Sequence, residues 1–221
     1  AGMARRDALI VGERPGRDLR AALAAPDAAW DGSVAWLGDG PITDHTVDEL
    51  GVDGLDLVVH CAYPSISRRR RPLVDLTADE WRAACDEPFE GAIRLARGTH
   101  RHLAARNGTI VFVVPVMASA GADGFAPLAT AAEGVRILAK SLARSWGGSG
   151  IRAHALTLDP HHFLDPADAE GIAEANALHD PQLGPPGAAD IAGVIDLLTG
   201  DPATTLTGTS LVVDGGLWMP G

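Results

Sequence analysis

Few side chains in this sequence could transfer a proton, and they are scattered along it. The single tyrosine, Tyr63, and the single lysine, Lys140, lie far apart and in different predicted elements, so they do not form a local proton-transfer pair. His60 and Cys61 are adjacent on a predicted strand, where successive side chains point to opposite faces of the sheet. They cannot form a Cys/His pair, and we expect both to lie in the buried core.

Three further histidines are candidates for chemistry. His161 and His162 follow a predicted strand and could act on a substrate or bind a metal, while His154 lies inside that strand. No third ligand accompanies the adjacent pair, whereas zinc sites use at least three protein ligands. We therefore predict no metal site and expect the pair at the surface.

Four consecutive arginines interrupt a chain whose formal net charge is −11. This arginine run consists of Arg68, Arg69, Arg70 and Arg71. It is either a solvated loop or a local site for a phosphate or an acidic partner, since guanidinium groups suit both anions. The negative net charge argues against a general nucleic-acid binder.

A glycine turn, Gly12 to Gly16, separates the first predicted strand from a helix. Such a turn lets the backbone approach a dinucleotide pyrophosphate at a helix N-terminus. Here Pro15 removes one backbone donor, and the carboxylate of Asp18 would repel a pyrophosphate. Asp39 could hold an adenosine ribose or stand in a bare turn. The turn is either a plain strand–helix connection or a vestigial cofactor site.

The elements that must position these residues alternate along the chain. Apolar runs predict buried strands at residues 7–12, 33–38, 55–62, 108–116, 150–158 and 210–214. Helical periodicity predicts helices at residues 17–25, 81–105, 128–146 and 188–199, with a capping box before the second of them. Continuously apolar strands joined by helices are typical of a parallel sheet that is covered on both faces. We predict an α/β, Rossmann-like doubly wound parallel sheet, shortened after the second strand because only stubs fit between residues 38 and 55.

Length and composition suit one domain over residues 1–221. Residues 1–6 are expected to be disordered or a cloning remnant, and residues 159–186 to form a loop rich in Asp, Pro and His. No apolar run approaches the roughly 20 residues that span a bilayer, and no signal-peptide pattern opens the chain. Cys61 and Cys85 show no disulfide or metal spacing, so we expect a reducing, cytoplasmic location.

Two segments resemble the short-chain dehydrogenase/reductase family. AKSLARSWGGSGIRAHALTLDP, residues 139–160, is similar to the family's segment from the active-site helix to the following strand, and TGTSLVVDGG, residues 207–216, to its closing strand and turn. The resemblance implies an oxidoreductase fold, an NAD(P) cofactor and a lid at residues 159–186. It also implies two-fold pairing through the helices at 81–105 and 128–146.

The same resemblance implies that the catalytic residues are missing. The family uses a Tyr, a Lys four residues later, a Ser that polarises a carbonyl, and an Asn that bends a helix and joins a proton relay. The matching positions hold Leu128, Ala132, Pro115 and Pro88, none of which can exchange a proton. Tyr63 stands where the family has a Gly and would crowd a nicotinamide ribose. We therefore predict no catalytic residue at these positions and no tightly bound NAD(P), with Gly12, Gly16 and Asp39 as a vestigial site.

The first interpretation is a non-catalytic subunit that pairs with an active paralogue or with itself. By resemblance, the pair would be an NAD(P)-dependent oxidoreductase of hydroxyacyl or ketoacyl groups held on coenzyme A or a carrier protein. The arginine run would recruit the carrier protein or the coenzyme A ester. The helices at 81–105 and 128–146 would pair through small residues, predicted on their outer faces: Ala84, Ala92, Ala96, Ala131, Ala139 and Ala143.

Two other interpretations stay open. One is an enzyme whose chemistry was rebuilt in the old pocket from the side chains of His60, Tyr63, His154, His161 or His162. The other is a ligand-sensing or regulatory module. Neither requires a paralogue.

Overall fold

The computed structural model describes residues 6–25, 30, 33–38, 40, 45–175 and 182–219. Six strands form one parallel sheet in the order β2-β1-β3-β4-β5-β6. They are β1 Ala8–Val11, β2 Val34–Leu37, β3 Leu57–His60, β4 Thr109–Pro115, β5 Arg152–Leu158 and β6 Ser210–Val213. The strand order reverses between β1 and β3, which is the place where sheets of this kind open a crevice at their carboxyl edge. The predicted doubly wound parallel sheet is confirmed.

The helices cover both faces of this sheet. They are α1 Gly16–Leu23, α2 Ala78–Trp81, α3 Glu87–Arg106, α4 Met117–Ala120, α5 Ala126–Trp146, α6 Pro166–Ala175 and α7 Ala188–Thr199. The chain moves in one direction along the sheet through α1 and in the other through α3 and α5, so right-handed crossovers place these helices on opposite faces. On one face α3 packs against α5; α1 packs against α7.

The centre of the sheet is β4, whose seven residues are all buried. It pairs with β3 on one side and β5 on the other, in a register that places Phe112 beside His60. Both of its faces are covered by helices, which explains why its sequence is continuously apolar rather than alternating.

The sheet is shortened after β2, as the sequence predicted. Among the described residues between β2 and β3 there is one short 3-10 turn, Asp48–Leu50, and no strand. Residues 39 and 41–44 lie outside the described part of the chain.

The helix predicted at residues 81–105 is longer and is interrupted. It starts at Ala78 with a capping box between Thr77 and Glu80, then passes through a π-helical turn, Arg82–Asp86, before α3. Pro88 has no N–H, so the carbonyl of Ala84 has no α-helical donor. The hydroxyl of Ser67 donates to that carbonyl at 2.7 Å. The predicted kink at Pro88 is thus a π turn that lies just before the proline.

Two predictions at the domain's margins need correction. The segment 159–186, predicted to be a loop, contains α6, because Pro166 opens a helix readily and Ala169 and Ile172 supply a buried side. Arg6 is held in place, with its guanidinium carbon 3.9 Å from the Trp30 ring centroid, so the predicted disorder is wrong for that residue. Residues 1–5 lie outside the described part.

The prediction about the outer faces of the two long helices is also wrong. The alanines expected outside are buried within the chain, with exposed fractions between 0% and 7%: Ala84, Ala92, Ala96, Ala131, Ala139 and Ala143. Their small side chains let the helices approach the rest of the core closely. On the outside of α5 the exposed apolar residue is Ile137, at 47%.

None of the helices in the described residues is long and apolar enough to cross a membrane.

Candidate functional site

The candidate site lies at the carboxyl ends of β1, β3, β4 and β5. The glycine turn follows β1, residues 61–64 follow β3, and the segment that begins with Asp159 follows β5. These segments meet at the switch point of the sheet, and they carry Cys61, Tyr63 and the adjacent histidines.

Both glycines of the turn pack against Cys61. Gly12 has a φ of +129°, and a Cβ built there would lie 2.5 Å from the carbonyl oxygen of Cys61. A Cβ on Gly16 would lie 2.9 Å from the Cys61 Sγ. The thiol itself donates to the carbonyl of Val11 at 3.2 Å. Glycine is therefore required here by packing inside the chain.

Other protein groups surround the same turn. The indole Nε1 of Trp36 donates to the carbonyl of Gly12 at 3.0 Å, and the guanidinium of Arg17 lies 5.9 Å from the Trp36 ring centroid. Pro15 is the N-cap of α1 and makes no side-chain capping bond, while Asp18 is exposed in the first turn of the helix. A carboxylate there suits the helix dipole but repels a pyrophosphate. The residues of this turn do not fit a dinucleotide pyrophosphate.

Of the other residues assigned to the vestigial cofactor site, Asp39 lies outside the described residues.

Tyr63 and His60 fill the space next to the turn. Tyr63 is fully buried, with its ring edge-on to Phe163 at 5.9 Å and to His60 at 6.0 Å between centroids. Within the described residues its hydroxyl has no hydrogen-bond partner, and burial raises the pKa of the phenol far above its usual range. His60 is equally buried, its two ring nitrogens have no hydrogen-bond partner among the described residues, and burial lowers its pKa to about 4. At neutral pH both side chains are uncharged.

The positions that match the family's catalytic residues are buried and apolar. Leu128 and Ala132, on α5, are 0% exposed and belong to the same apolar core as Tyr63, Met117 and Phe125. Their side chains have no group that can give or accept a proton.

The other two matching positions are also closed off. Pro115 ends β4 and is buried, and Pro88 is buried near the start of α3. A carbonyl substrate could not find a hydrogen-bond donor on any of the four side chains.

The five side chains proposed for rebuilt chemistry do not converge. His154 lies near the amino end of β5, about 13 Å along the strand from Leu158. Its Nδ1 is 2.6 Å from the Thr209 hydroxyl, and burial, followed by the charge of Arg152, lowers its pKa to about 4. His60 and Tyr63 form a ring contact, and His161 and His162 are adjacent in the chain.

The adjacent histidines lie at the carboxyl edge but are already engaged. The Nδ1 of His161 is 2.6 Å from Asp159 Oδ1, which also accepts a hydrogen bond from the His161 backbone. His162 is half-buried, and burial is the main reason that its pKa is lowered. No group of three or more metal-ligating side chains occurs in the described part of the chain.

The arginine run divides into two pairs. Arg70 binds Asp123 at 2.7 Å, and Arg71 binds Glu80 at 3.1 Å and the Asp75 carbonyl at 3.0 Å. These two charges are compensated by the protein's own groups. They also fix the loop before α2.

The other pair faces a cavity at the mouth of the site. Arg68 and Arg69 line a cavity of about 300 Å³ together with Arg14 from the glycine turn, and Phe163 forms part of its wall. Asp165 lies 3.7 Å from Arg14 in an exposed ion pair. Arg14 was not predicted from the sequence as a site residue, although its place inside a glycine turn is a signal for one.

Known proteins resemble this chain over most of its length. The family model described as "Enoyl-(Acyl carrier protein) reductase" matches residues 42–218. Cis-4-hydroxycyclohexanecarboxylate dehydrogenase of Sinomonas cyclohexanicum is 30% identical over 181 residues, which are 79% of this chain and 70% of that protein. The 3-oxoacyl-[acyl-carrier-protein] reductase of Escherichia coli (strain K12) is 29% identical over 154 residues, 66% of this chain and 61% of that enzyme.

An uncharacterized oxidoreductase of Mycobacterium tuberculosis is 28% identical over 155 residues, and the matched part of this chain spans 57% of its length. Among solved structures, gluconate 5-dehydrogenase of Burkholderia cenocepacia J2315, in complex with NADP and tartrate, superposes with a TM-score of 0.77 at 23% identity, covering 96% of this chain and 94% of that one. A short-chain dehydrogenase/reductase of Burkholderia thailandensis superposes with a TM-score of 0.75 at 24% identity, covering 97% and 93%. At these identities the superpositions show the fold alone.

The buried histidines predict a loss of stability in acid. An unfolded imidazole takes up a proton near pH 6.5, whereas His60 and His154 do so only near pH 4 in the folded protein. Between those values the unfolded chain binds more protons, so the free energy of unfolding falls as the pH falls, by about 1.4 kcal/mol per pH unit for each histidine. Above pH 6.5 both histidines are neutral in the folded and the unfolded protein, so they do not make the free energy of unfolding depend on pH.

Urea unfolding at pH 7.5 and pH 5 measures this effect. Between pH 7.5 and pH 5 the free energy of unfolding should fall by about 2 kcal/mol less in His60→Leu, and likewise in His154→Leu, than in the wild type. In the double variant the difference should be about twice that. An unchanged pH dependence in both single variants would contradict the assignment.

Proposed function

Since the chain belongs to the short-chain dehydrogenase/reductase family, we propose that it is a catalytically degenerate member that serves as the non-catalytic subunit of a heteromeric oxidoreductase. The observation that carries the proposal is the complete burial of Leu128 and Ala132 in an apolar core, at the two positions that match the family's proton-transferring Tyr and Lys. An active subunit would need a polar, accessible group at both.

The proposed absence of tight cofactor binding rests on three features. The family typically binds NAD(P), and the gluconate 5-dehydrogenase structure holds NADP. In this chain the glycine turn is packed against Cys61, Asp18 is exposed at the helix N-terminus, and Tyr63 is buried next to the turn. The Asp18 carboxylate works against a bound pyrophosphate and the bulk of Tyr63 against a nicotinamide ribose, while packing against Cys61 accounts for the glycines without a ligand.

The proposed substrate of the complete enzyme is a hydroxyacyl or ketoacyl group on a carrier protein or coenzyme A. The name of the E. coli relative, an acyl-carrier-protein reductase, supports this class. So does the cavity between Arg14, Arg68 and Arg69, because guanidinium groups recognise phosphate and acidic surfaces. In this proposal the cavity recruits the carrier to the partner's active site.

Pairing is proposed through the outer surface of the helices predicted at 81–105 and 128–146, which correspond to the π turn with α3 and to α5. The two helices pack side by side, with Phe89 of α3 against Gly134 of α5, where an added Cβ would lie 3.1 Å from the phenylalanine ring. Ile137, one turn further along α5, is 47% exposed. An exposed isoleucine beside a flat helix junction suits a protein interface.

A ligand-sensing module is the second candidate. A cavity of about 510 Å³ lies between the end of β3 and the start of α3, with His60, Ala62 and Pro88 in its lining and Glu87 at its rim. A volume of that size holds a small molecule. Enzymatic chemistry rebuilt from the histidines is the remaining alternative, and the separation of His154 weighs against it.

The purified chain should carry out no hydride transfer. Wild-type protein and the Leu128→Tyr/Ala132→Lys variant should both give no turnover with NADH or NADPH and a ketoacyl substrate, because the variant restores the proton donor but leaves the glycine turn unchanged. Calorimetric titration should find no dinucleotide Kd below about 1 mM. A low-micromolar Kd or robust turnover by the wild type would overturn the non-catalytic assignment.

Assembly with an active paralogue is tested by size exclusion of the two chains expressed together. Ile137→Glu should abolish co-elution, because a charge would be buried at the centre of the interface. Leu197→Glu is the matched control, since Leu197 is 55% exposed on α7, on the other face of the sheet. A monomer that ignores the paralogue would contradict the proposal, and a complex that tolerates Ile137→Glu would place the interface elsewhere.

Carrier recruitment is tested in the same complex. Arg68→Gln/Arg69→Gln should raise the KM for carrier-bound substrate about 10-fold, more strongly at low salt, because these charges face the cavity. Arg70→Gln/Arg71→Gln is the control, and it should leave KM within about 2-fold because neither side chain lines the cavity. Equal effects of the two double variants would contradict the assignment.

A further inference from the structure

A second basic cavity lies at the opposite, amino-terminal edge of the sheet. It has a volume of about 450 Å³, and arginines from three separate segments line it. Arg6 precedes β1, Arg106 ends α3 just before β4, and Arg152 is the first residue of β5. Of the residues singled out in the sequence, His154 lies near this edge, but it does not line the cavity.

Two of the arginines converge at the end of α7. Arg152 donates to the carbonyl oxygens of Thr199 at 3.1 Å and Gly200 at 3.4 Å, and Arg6 forms an ion pair with Asp196 at 3.0 Å. Burial and the nearby charge of Arg6 lower the pKa of Arg152, while Asp201 acts in the opposite direction. Two guanidinium groups are thus held close enough to repel each other.

The third arginine approaches from another side. The side chain of Arg106 is 40% exposed, its stem lies over Gly54, and its guanidinium stands 3.8 Å from Asp7 in a long ion pair. That pair is partly open to solvent, so it is weak. A ligand with a compact negative charge could compete for this guanidinium.

Hydroxyl groups complete the lining. Thr204 and Thr205 are exposed at the cavity, and Thr207 accepts a hydrogen bond from the Ala153 backbone, which leaves its O–H free to donate to a ligand. Two carboxylates, Asp56 and Asp201, also line the cavity, and Asp56 already accepts a hydrogen bond from the Asp7 backbone. Asp196 and Asp7 already pair with Arg6 and Arg106, whereas the hydrogen bonds of Arg152 go to the neutral carbonyl oxygens of Thr199 and Gly200.

From this arrangement we infer that the amino-edge cavity binds a small phosphate, either inorganic phosphate or a phosphate monoester. A phosphate oxygen can accept hydrogen bonds from a guanidinium and from a threonine hydroxyl together, and its charge relieves the repulsion between Arg6 and Arg152. The ligand would brace the end of α7 against the starts of β1 and β5. The inference stands independently of the proposed function, because the cavity lies at the other edge of the sheet.

Calorimetric titration of the full chain with inorganic phosphate tests the inference, with sodium chloride at matched ionic strength as the blank. We expect saturable binding that Arg106→Gln and Thr205→Val each weaken about 10-fold, since both residues line the cavity without holding α7. Arg144→Gln is the matched control, as Arg144 is an exposed arginine on α5 outside this cavity, and it should leave the Kd unchanged.

Titration with glycerol phosphate distinguishes the two sources of the anion. Tighter binding than inorganic phosphate would identify a monoester site, and weaker binding a site for the free ion. No saturable heat up to about 10 mM phosphate, with no rise in unfolding temperature, would overturn the inference. Binding that is insensitive to both cavity variants would overturn it as well, because the anion would then bind elsewhere.

Discussion

The close passage of the glycine turn against the end of β3 governs the carboxyl edge of this sheet. At Gly12 any side chain would collide with the carbonyl oxygen of Cys61, so the two strand ends can meet only with glycine there. Cys61 ties the same junction from its own side, donating to the Val11 carbonyl through its backbone N–H at 2.8 Å and through its thiol at 3.2 Å. These contacts hold the ends of β1 and β3 together at the switch point of the sheet.

The contact between the glycine turn and the end of β3 affects which side chains are stable at the carboxyl edge. Burying an aromatic or leucine side chain stabilises the folded state by about 1.5–3 kcal/mol. The buried side chains of Tyr63, Phe163 and Leu128 therefore stabilise the fold. A buried lysine or serine in the same space would need a hydrogen-bond partner or would cost several kcal/mol. At a buried position that carries no chemistry, packing alone favours an apolar side chain. The unpartnered hydroxyl of Tyr63 is the exception, with a cost of about 1–3 kcal/mol.

The sequence predicted the sheet well because the strands are continuously apolar and each long helix has apolar residues along one face. It predicted the site only in part. The burial of His60 and Cys61 followed from their place on a strand, but the pairing of Arg70 with Asp123 joins residues that lie far apart in the chain, and no local pattern reveals it. The alanines of α3 and α5 were placed on the wrong face because a small residue fits equally well against the core and against a partner. The π turn depends on Ser67, which reaches Ala84 through the tertiary fold.

The distribution of charge adds a constraint on any anionic ligand. With a net charge of −11, the surface as a whole repels polyanions, and screening confines each arginine's influence to about 8–10 Å at physiological salt. Attraction is therefore limited to the places where several guanidinium groups meet at a concave surface. Arg14, Arg68 and Arg69 form one such place, and Arg6, Arg106 and Arg152 form another at the opposite edge. A ligand must insert a compact negative group into one of these cavities to be held, which favours a single phosphate or a short acidic segment over an extended polyanion.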